Sequence, residues 1–502
     1  MILLLSGCAA TKQSPTIVET HFLKFGYASN PKLCLALSGG GLRAAVLSLG
    51  ALQQLEESEL LKDVDMVGSV SGGGWPVYGL LVAMQNGEKL KDLLDEQSEF
   101  IRAFDKSDFI DGRDIYGIAF NELFLGSPLN VASEFLEPHG DKNFNKSLGS
   151  TYGSKIHQKV LDFDTFQAFK DLPLNKVSRY RENGFPYPIF ITSSHEGVRP
   201  PKSDHAYSVE NLFELSPLWI GSRMHGYQTE FSKYLHIIDV VAASSAASDS
   251  PIVTNDLRFP PDDRKVSLKE VKEDVGTLSF MVRRLLPLGG KIRFGKKDLY
   301  LADGGFIENT AVLPLLRRKC ADIIAIDARM DPYMLNVEFD LLKTIILELG
   351  GSITLPDNID TYNLEEKDQI KSKDSKGRGW SMSTHYYPVD VELEGFRSRV
   401  HFLKLGLVKG EKYPEGVESY VRTNHSETHP KRVNKCKTTT SIALPSPPAC
   451  GAVGAWPLRR KTCSFPFSGT FLTCYSSEES LAYRHLGKHM INVLLDNFTI
   501  DK

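Results

Sequence analysis

The sequence predicts an α/β fold: three α/β/α layers around a central, mostly parallel sheet, with helical insertions. Three observations carry this. Residues 33–83 run as strand, glycine turn, helix, strand, second glycine turn and helix, one βαβ unit. Its strands are short, unbroken apolar runs, the pattern of parallel strands buried on both faces. Comparable strand signals return at 187–194, 298–302, 321–327 and 400–408. The chain has 502 residues, 41% of them hydrophobic, enough for one large α/β domain with insertions or for two domains.

Taken in order, the first residues read MILLLSGCAATKQ. Leu5-Ser6-Gly7-Cys8 resembles the bacterial lipobox, after an apolar run shorter than the about 7–15 residues of a full signal peptide. The resemblance implies a lipidated Cys8 and residues 9–31 as a tether. It also implies a membrane-anchored lipoprotein of the periplasm or outer membrane. Ala9 resembles the sorting residue of outer-membrane lipoproteins.

The first strand, 33–37, ends at Ser38-Gly39-Gly40-Gly41, and helical spacing follows over 42–55. The glycines leave backbone N–H groups open to an approaching oxygen. Gly39-x-Gly41-x-x-Ala44 also fits a loose dinucleotide fingerprint, which expects an acid at the end of the next strand. That strand, 66–68, ends instead in Gly68-Ser69-Val70-Ser71-Gly72, read as a G-x-S-x-G turn before another apolar helix. A serine on such a turn is pushed out at the sheet edge, with a helix N-terminus behind it. Neighbouring parallel strands lie about 4.8 Å apart, so the two turns would face one crevice. Ser71 is the candidate nucleophile, Gly39, Gly40 and Gly41 the candidate oxyanion hole, and Gly68 and Gly72 give clearance.

A third piece follows at 298–305. The strand 298–302 is closed by Asp303-Gly304-Gly305, which puts a carboxylate where a base for Ser71 belongs. In this order SGGGLRA (38–44), GSVSG (68–72) and DGG (303–305) resemble the motifs of the patatin-like phospholipase family and its relatives, the cytosolic phospholipases of the A type. The resemblance covers about residues 30–330. It implies a Ser71–Asp303 dyad, an oxyanion hole at the glycine run, and supporting roles for Arg43, Gly72, Gly304, Gly305 and Asn309. Pro314 stands where the family often has a proline, and 239–252 resembles its small-residue helix. The implied function is a serine-dependent lipid acyl hydrolase of the phospholipase A or lysophospholipase type. It would act without a cofactor, at a membrane surface, on a phospholipid or another acyl-ester lipid.

The chemistry is coherent. A free aspartate, with a pKa of about 3.9, is a weak base toward serine, and burial would raise that value. Most of the rate must come from N–H groups facing the developing oxyanion, each typically worth about 10²–10³ in turnover. The expected course is attack by Ser71, an acyl-enzyme, then hydrolysis. Two other functions use the same residues. An α/β-hydrolase-type esterase would recruit a later histidine, with His385, His401 and His485 as candidates. A lipid-binding lipoprotein would keep the fold without turnover.

The remaining segments fill in around this unit. Residues 32–350 are expected as the catalytic domain. An insertion at about 85–185 caps the site, opening with one amphipathic helix over 85–104 and an aromatic-rich stretch at 109–135. Residues 281–297 suit a cationic hairpin and 339–349 an amphipathic helix. Residues 351–423 extend the domain, with a polar excursion at 356–380; 424–462 are irregular; 463–502 close the chain, with a helix over 480–495. A net charge of −3 argues against nucleic acid as a partner. No stretch reaches the about 18 apolar residues that span a bilayer, and no metal-ligand spacing is present. Cys436, Cys450, Cys463 and Cys474 flank the irregular segment with three possible pairings, whereas Cys34 and Cys320 are expected as packed thiols.

Overall fold

The computed structural model describes residues 31–105, 172–196, 209–229, 235–245, 291–294, 297–329, 337–354, 384–408, 411–424, 436–439, 460–463, 465–466 and 477–498. Cys8, the tether, the 109–135 stretch, the 356–380 excursion, Cys450 and Cys474 lie outside these residues. The glycine-bounded apolar runs become β1 (Leu33–Leu37) and β2 (Met66–Val70), buried at every position. They pair in parallel, Cys34 opposite Met66 and Leu37 opposite Ser69. β3 (Tyr187–Glu196) and β9 (Asp322–Asp327) extend the parallel core on either side.

The full order is β10 (Ser352–Thr354), β11 (Tyr386–Leu393), β12 (Phe396–Lys404), β9, β1, β2, β3, β4 (Leu212–Leu215), β5 (Ile220–Ser222), β6 (Gly226–Gln228), with β8 (Lys297–Asp303) pairing to β3 and β7 (Lys291–Phe294) to β8. Five central strands, β12 to β3, are parallel, and antiparallel strands flank them. The flanks are β4, β5 and β6 on one side, β10 and β11 on the other. β7 (Lys291–Phe294) pairs with β8 (Lys297–Asp303), the strand that carries Asp303, so the hairpin lies later than the 281–297 expected, of which 281–290 fall outside the described residues. The strand expected at 400–408 lies earlier, as β12 (Phe396–Lys404). Its hairpin with β11 turns at Glu394-Gly395, both with positive φ, a two-residue link the sequence reading missed.

Helices cover both faces. Along β2, Gly68 faces Ala311 and Leu315, by the short helix Leu313–Leu316, while the next residue, Ser69, faces the start of the helix Gly74–Gln85. This alternation is the three-layer arrangement. The helix Gly41–Glu57 (α1) follows the first glycine turn, and Gly74–Gln85 (α2) follows the second. The closing helix, Ser477–Asn497, packs directly on α1. Among the described residues no helix is long and apolar enough to cross a membrane.

Three expectations change. The helix over 85–104 is broken: α2 ends at Gln85, and short helices at Leu90–Leu93 and Glu99–Asp105 follow. Asn86-Gly87 stops the first, and the Ser98 hydroxyl caps the last by accepting the Ile101 N–H. The segment expected as irregular contains two paired strands, β13 (Cys436–Thr439) and β14 (Arg460–Cys463). Their four-residue length and polar sequence hid them. Cys34 and Cys320 are not packed thiols but a disulfide, with Cα atoms 6.1 Å apart. The two cysteines are 286 positions apart, and only the pairing of β1 with β9 brings them together.

Candidate active site

Both glycine turns sit at the C-terminal ends of adjacent parallel strands and touch. Gly40 and Gly41 have φ of 147° and 58°, a backbone course that glycine takes without strain. A Cβ on Gly72 would collide with the Gly41 carbonyl oxygen, so the second turn lies directly on the first. Ser71 opens a 3₁₀ turn, Ser71–Gly73, that leads into α2. Its φ is +50°, a strained conformation for a residue with a side chain, and it is nearly buried, 7% exposed. The five-residue frame centred on Ser71 runs from Ser69 to Gly73. Ser69 therefore takes the first glycine place, and Gly68 lies within β2 rather than at the turn. The Ser71 N–H donates to the Ser244 hydroxyl (3.1 Å), which in turn donates to the Ile191 carbonyl (2.8 Å).

Strand registers bring Asp303 to the same point. β2 pairs with β3 up to Val70 opposite Ile191. β8 runs antiparallel to β3 and ends with Asp303 opposite Thr192. β4 occupies the other edge of β3 from Phe190 to Ser193. β2 and β8 therefore meet end to end along one edge, with Ser71 and Asp303 at the junction. Asp303 is 4% exposed. One of its carboxylate oxygens, Oδ1, accepts the Gly305 N–H at 2.8 Å, and its carbonyl accepts from the Ser193 hydroxyl at 3.0 Å. A Cβ on Gly304 would press on the Ile191 carbonyl, so this turn also needs glycine.

Asn309 joins the loops. Its carbonyl accepts the Gly39 N–H at 3.0 Å, and its side-chain Nδ2 donates to Glu338 (3.1 Å) and to the Gly39 carbonyl (3.5 Å). A Cβ on Gly39 would strike Asn309 Oδ1 and lie 3.2 Å from Ser71 Cβ. The Gly39 N–H expected to face an oxyanion is thus engaged by the Asn309 carbonyl in this structure. Among the described residues no acceptor takes the N–H of Gly40 or Gly41. Arg43 is buried, and its Nε donates to the Ala328 carbonyl at 2.8 Å, bracing the glycine loop against the end of β9.

Two residues of this network, Glu338 and Ser244, carry no sequence signal strong enough to find them. Glu338 lies on the helix Val337–Glu348, pairs with Arg329 and is wholly buried. Burial pushes its carboxyl up to about 7, against the pull of Arg329. Ser244 ends the helix Ile237–Ser244, part of the small-residue segment noted above. The serine pair Ser244-Ser245 closing an apolar helix is the one available hint. The three candidate histidines are engaged elsewhere. His385 contacts the Lys404 carbonyl and Tyr413, His401 contacts Asp322 and Tyr386, and His485 lies near Glu96.

Comparison with known proteins gives a consistent result. The sequence profile of the family described as patatin-like phospholipase matches residues 35–316. Lysophospholipase 1 of Schizosaccharomyces pombe is 29% identical over 213 residues, 40% of this chain and 31% of that protein. Lysophospholipase 2 of Candida albicans is 25% identical over 347 residues, 60% of this chain and 54% of that protein. Cytosolic phospholipase A2 gamma of Mus musculus is 26% identical over 196 residues, 38% and 31% of the two chains. This chain thus spans between about a third and a half of these relatives' lengths. The solved structure of human GIVD cytosolic phospholipase A2 aligns with a TM-score of 0.51 at 13% identity. It covers 96% of this chain and 64% of that one, a likeness of fold.

Proposed function

This chain belongs to the patatin-like phospholipase family, and from that premise we propose that it is a serine-dependent lipid acyl hydrolase. Ser71 Oγ attacks the ester carbonyl, and Asp303 takes its proton. The N–H groups of Gly40 and Gly41, at the first turn of α1, face the developing oxyanion. Asp303 then returns the proton to the leaving alcohol, and water hydrolyses the acyl-enzyme. The observation that carries this reading is the end-to-end meeting of β2 and β8 on one edge of β3, beside the glycine loop. The names of the relatives favour a phospholipid or lysophospholipid as substrate.

The test is hydrolysis of a short-chain chromogenic ester and of defined diacyl and lysophospholipids. Ser71→Ala and Asp303→Asn should each lower kcat by about 10⁴ or more, with folding intact by circular dichroism. A fluorophosphonate probe should add its mass to the Ser71 peptide. Activity that survives either change, or labelling elsewhere, would overturn the proposal.

The buried Cys34–Cys320 disulfide supports an oxidising, extracytoplasmic compartment, in line with the lipobox-like Cys8. Cys8→Ala should release the full chain from the membrane fraction. Unchanged membrane association would remove the anchor from this account.

A further inference from the structure

A second cluster of chemically active side chains lies outside the proposed catalytic site. His385 precedes β11, Glu411 lies in the loop after β12, and His489 is on the closing helix. One donor atom from each lies within 4.8 Å of the other two. His489 Nε2 is 2.5 Å from Glu411 Oε1, and His385 Nε2 is 3.8 Å from Glu411 Oε2. We propose that His385, Glu411 and His489 form a binding site for a divalent transition metal, with Zn²⁺ the best match.

The donor set is the first argument. Two imidazoles and one carboxylate suit Zn²⁺ far better than the all-oxygen shells of Ca²⁺ or Mg²⁺. Distances are the second. With metal–ligand bonds of about 2.1 Å, ligands in a tetrahedral shell lie about 3.4 Å apart. The two histidines approach different oxygens of Glu411, and all three donor atoms fall within 4.8 Å of one another, so closing the shell takes shifts of about 1–1.5 Å.

The outer contacts are the third argument. His385 Nδ1 lies 3.0 Å from the Lys404 carbonyl, which can only accept, so Nδ1 carries the proton. Nε2 then keeps its lone pair on the side facing Glu411 and His489. This is the arrangement in which a backbone carbonyl fixes the ring of a metal-bound histidine. Tyr413, whose hydroxyl is 3.1 Å from His385 Nε2, borders the fourth position, which a water would fill. The metal would replace the hydrogen bonds now made by Nε2 of both rings.

Its effect would be to fasten the closing helix to the rim of the sheet. Lys404, whose carbonyl orients His385, also donates through Nζ to Asp327 at the end of β9 (2.7 Å). No sequence spacing announced the site, because the three ligands come from three separate elements.

The full chain, stripped with EDTA and dialysed against Zn²⁺, should retain one Zn²⁺ per chain by metal analysis. Co²⁺ in its place should give visible d–d absorption. His489→Ala and Glu411→Gln should each weaken Zn²⁺ binding by more than about 100-fold. The metal-free melting temperature of Glu411→Gln, which keeps the size of the side chain, should stay near that of the parent. His485→Ala, one helical turn earlier, should bind as the parent does. Failure of the parent chain to retain Zn²⁺, or equal retention by His489→Ala and Glu411→Gln, would overturn the site.

Discussion

Ser71 has a φ that a non-glycine residue adopts only when its surroundings hold it there, at a cost of about 1–3 kcal/mol. Ser244 is part of what holds it, by accepting the Ser71 N–H and capping the Ile191 carbonyl. Ser244→Ala removes the acceptor of the buried Ser71 N–H, and an unpaired buried group costs about 1–3 kcal/mol. Its kcat on a chromogenic ester should fall about 10- to 100-fold with KM little changed; an unaltered kcat would show that Ser71 needs no such support. Glu338 gives a pH prediction. Its folded pKa is about 7 against the ordinary 4.5, so the folded protein keeps a proton that the unfolded chain releases. Stability from this residue is full below about pH 4.5 and declines as pH rises to about 7, on the order of 3 kcal/mol in all. Glu338→Gln stays uncharged, so its urea midpoint should lose that slope between pH 4.5 and 7.

At the scale of elements, the docking of the closing helix on α1 depends on two glycines and one arginine. A Cβ at Gly50 would run into the Arg484 backbone, and one at Gly487 into the Leu47 carbonyl. Helix propensity alone says that Gly487→Ala gains about 1 kcal/mol. Overpacking against a backbone atom costs about 1–3 kcal/mol and cannot be relieved by a rotamer change. Packing should therefore win, and thermal melting should show Gly487→Ala below the parent. Arg484 is buried against Glu96, Asp105 and Gln53, joining the closing helix to the broken helical stretch after α2. Arg484→Met would strand two acids, one of which, Asp105, burial already pushes above its ordinary value. A loss of about 3–5 kcal/mol is expected from urea unfolding.

Across the whole molecule, the Cys34–Cys320 disulfide closes most of the described chain into one loop. The chain-entropy account gives such a loop about 6 kcal/mol. The double variant Cys34→Ala, Cys320→Ala should melt well below the parent yet keep esterase activity, since neither sulfur belongs to the site. Local chemistry was enough to read the central strands and the three glycine turns, and to single out Ser71 and Asp303 as candidates. Each of these depends on a few consecutive residues: an apolar run, a glycine where a turn needs it, a polar group at a strand end. Other features depend on partners far off in the chain. The abutment of β2 and β8, the engagement of Gly39 by Asn309, the Glu338 network, the disulfide and the histidine cluster are of this kind. Short-range spacing carries no information about which distant backbone will lie alongside. That is decided by strand register and by the burial of helices against the sheet, which exist only once the chain has folded.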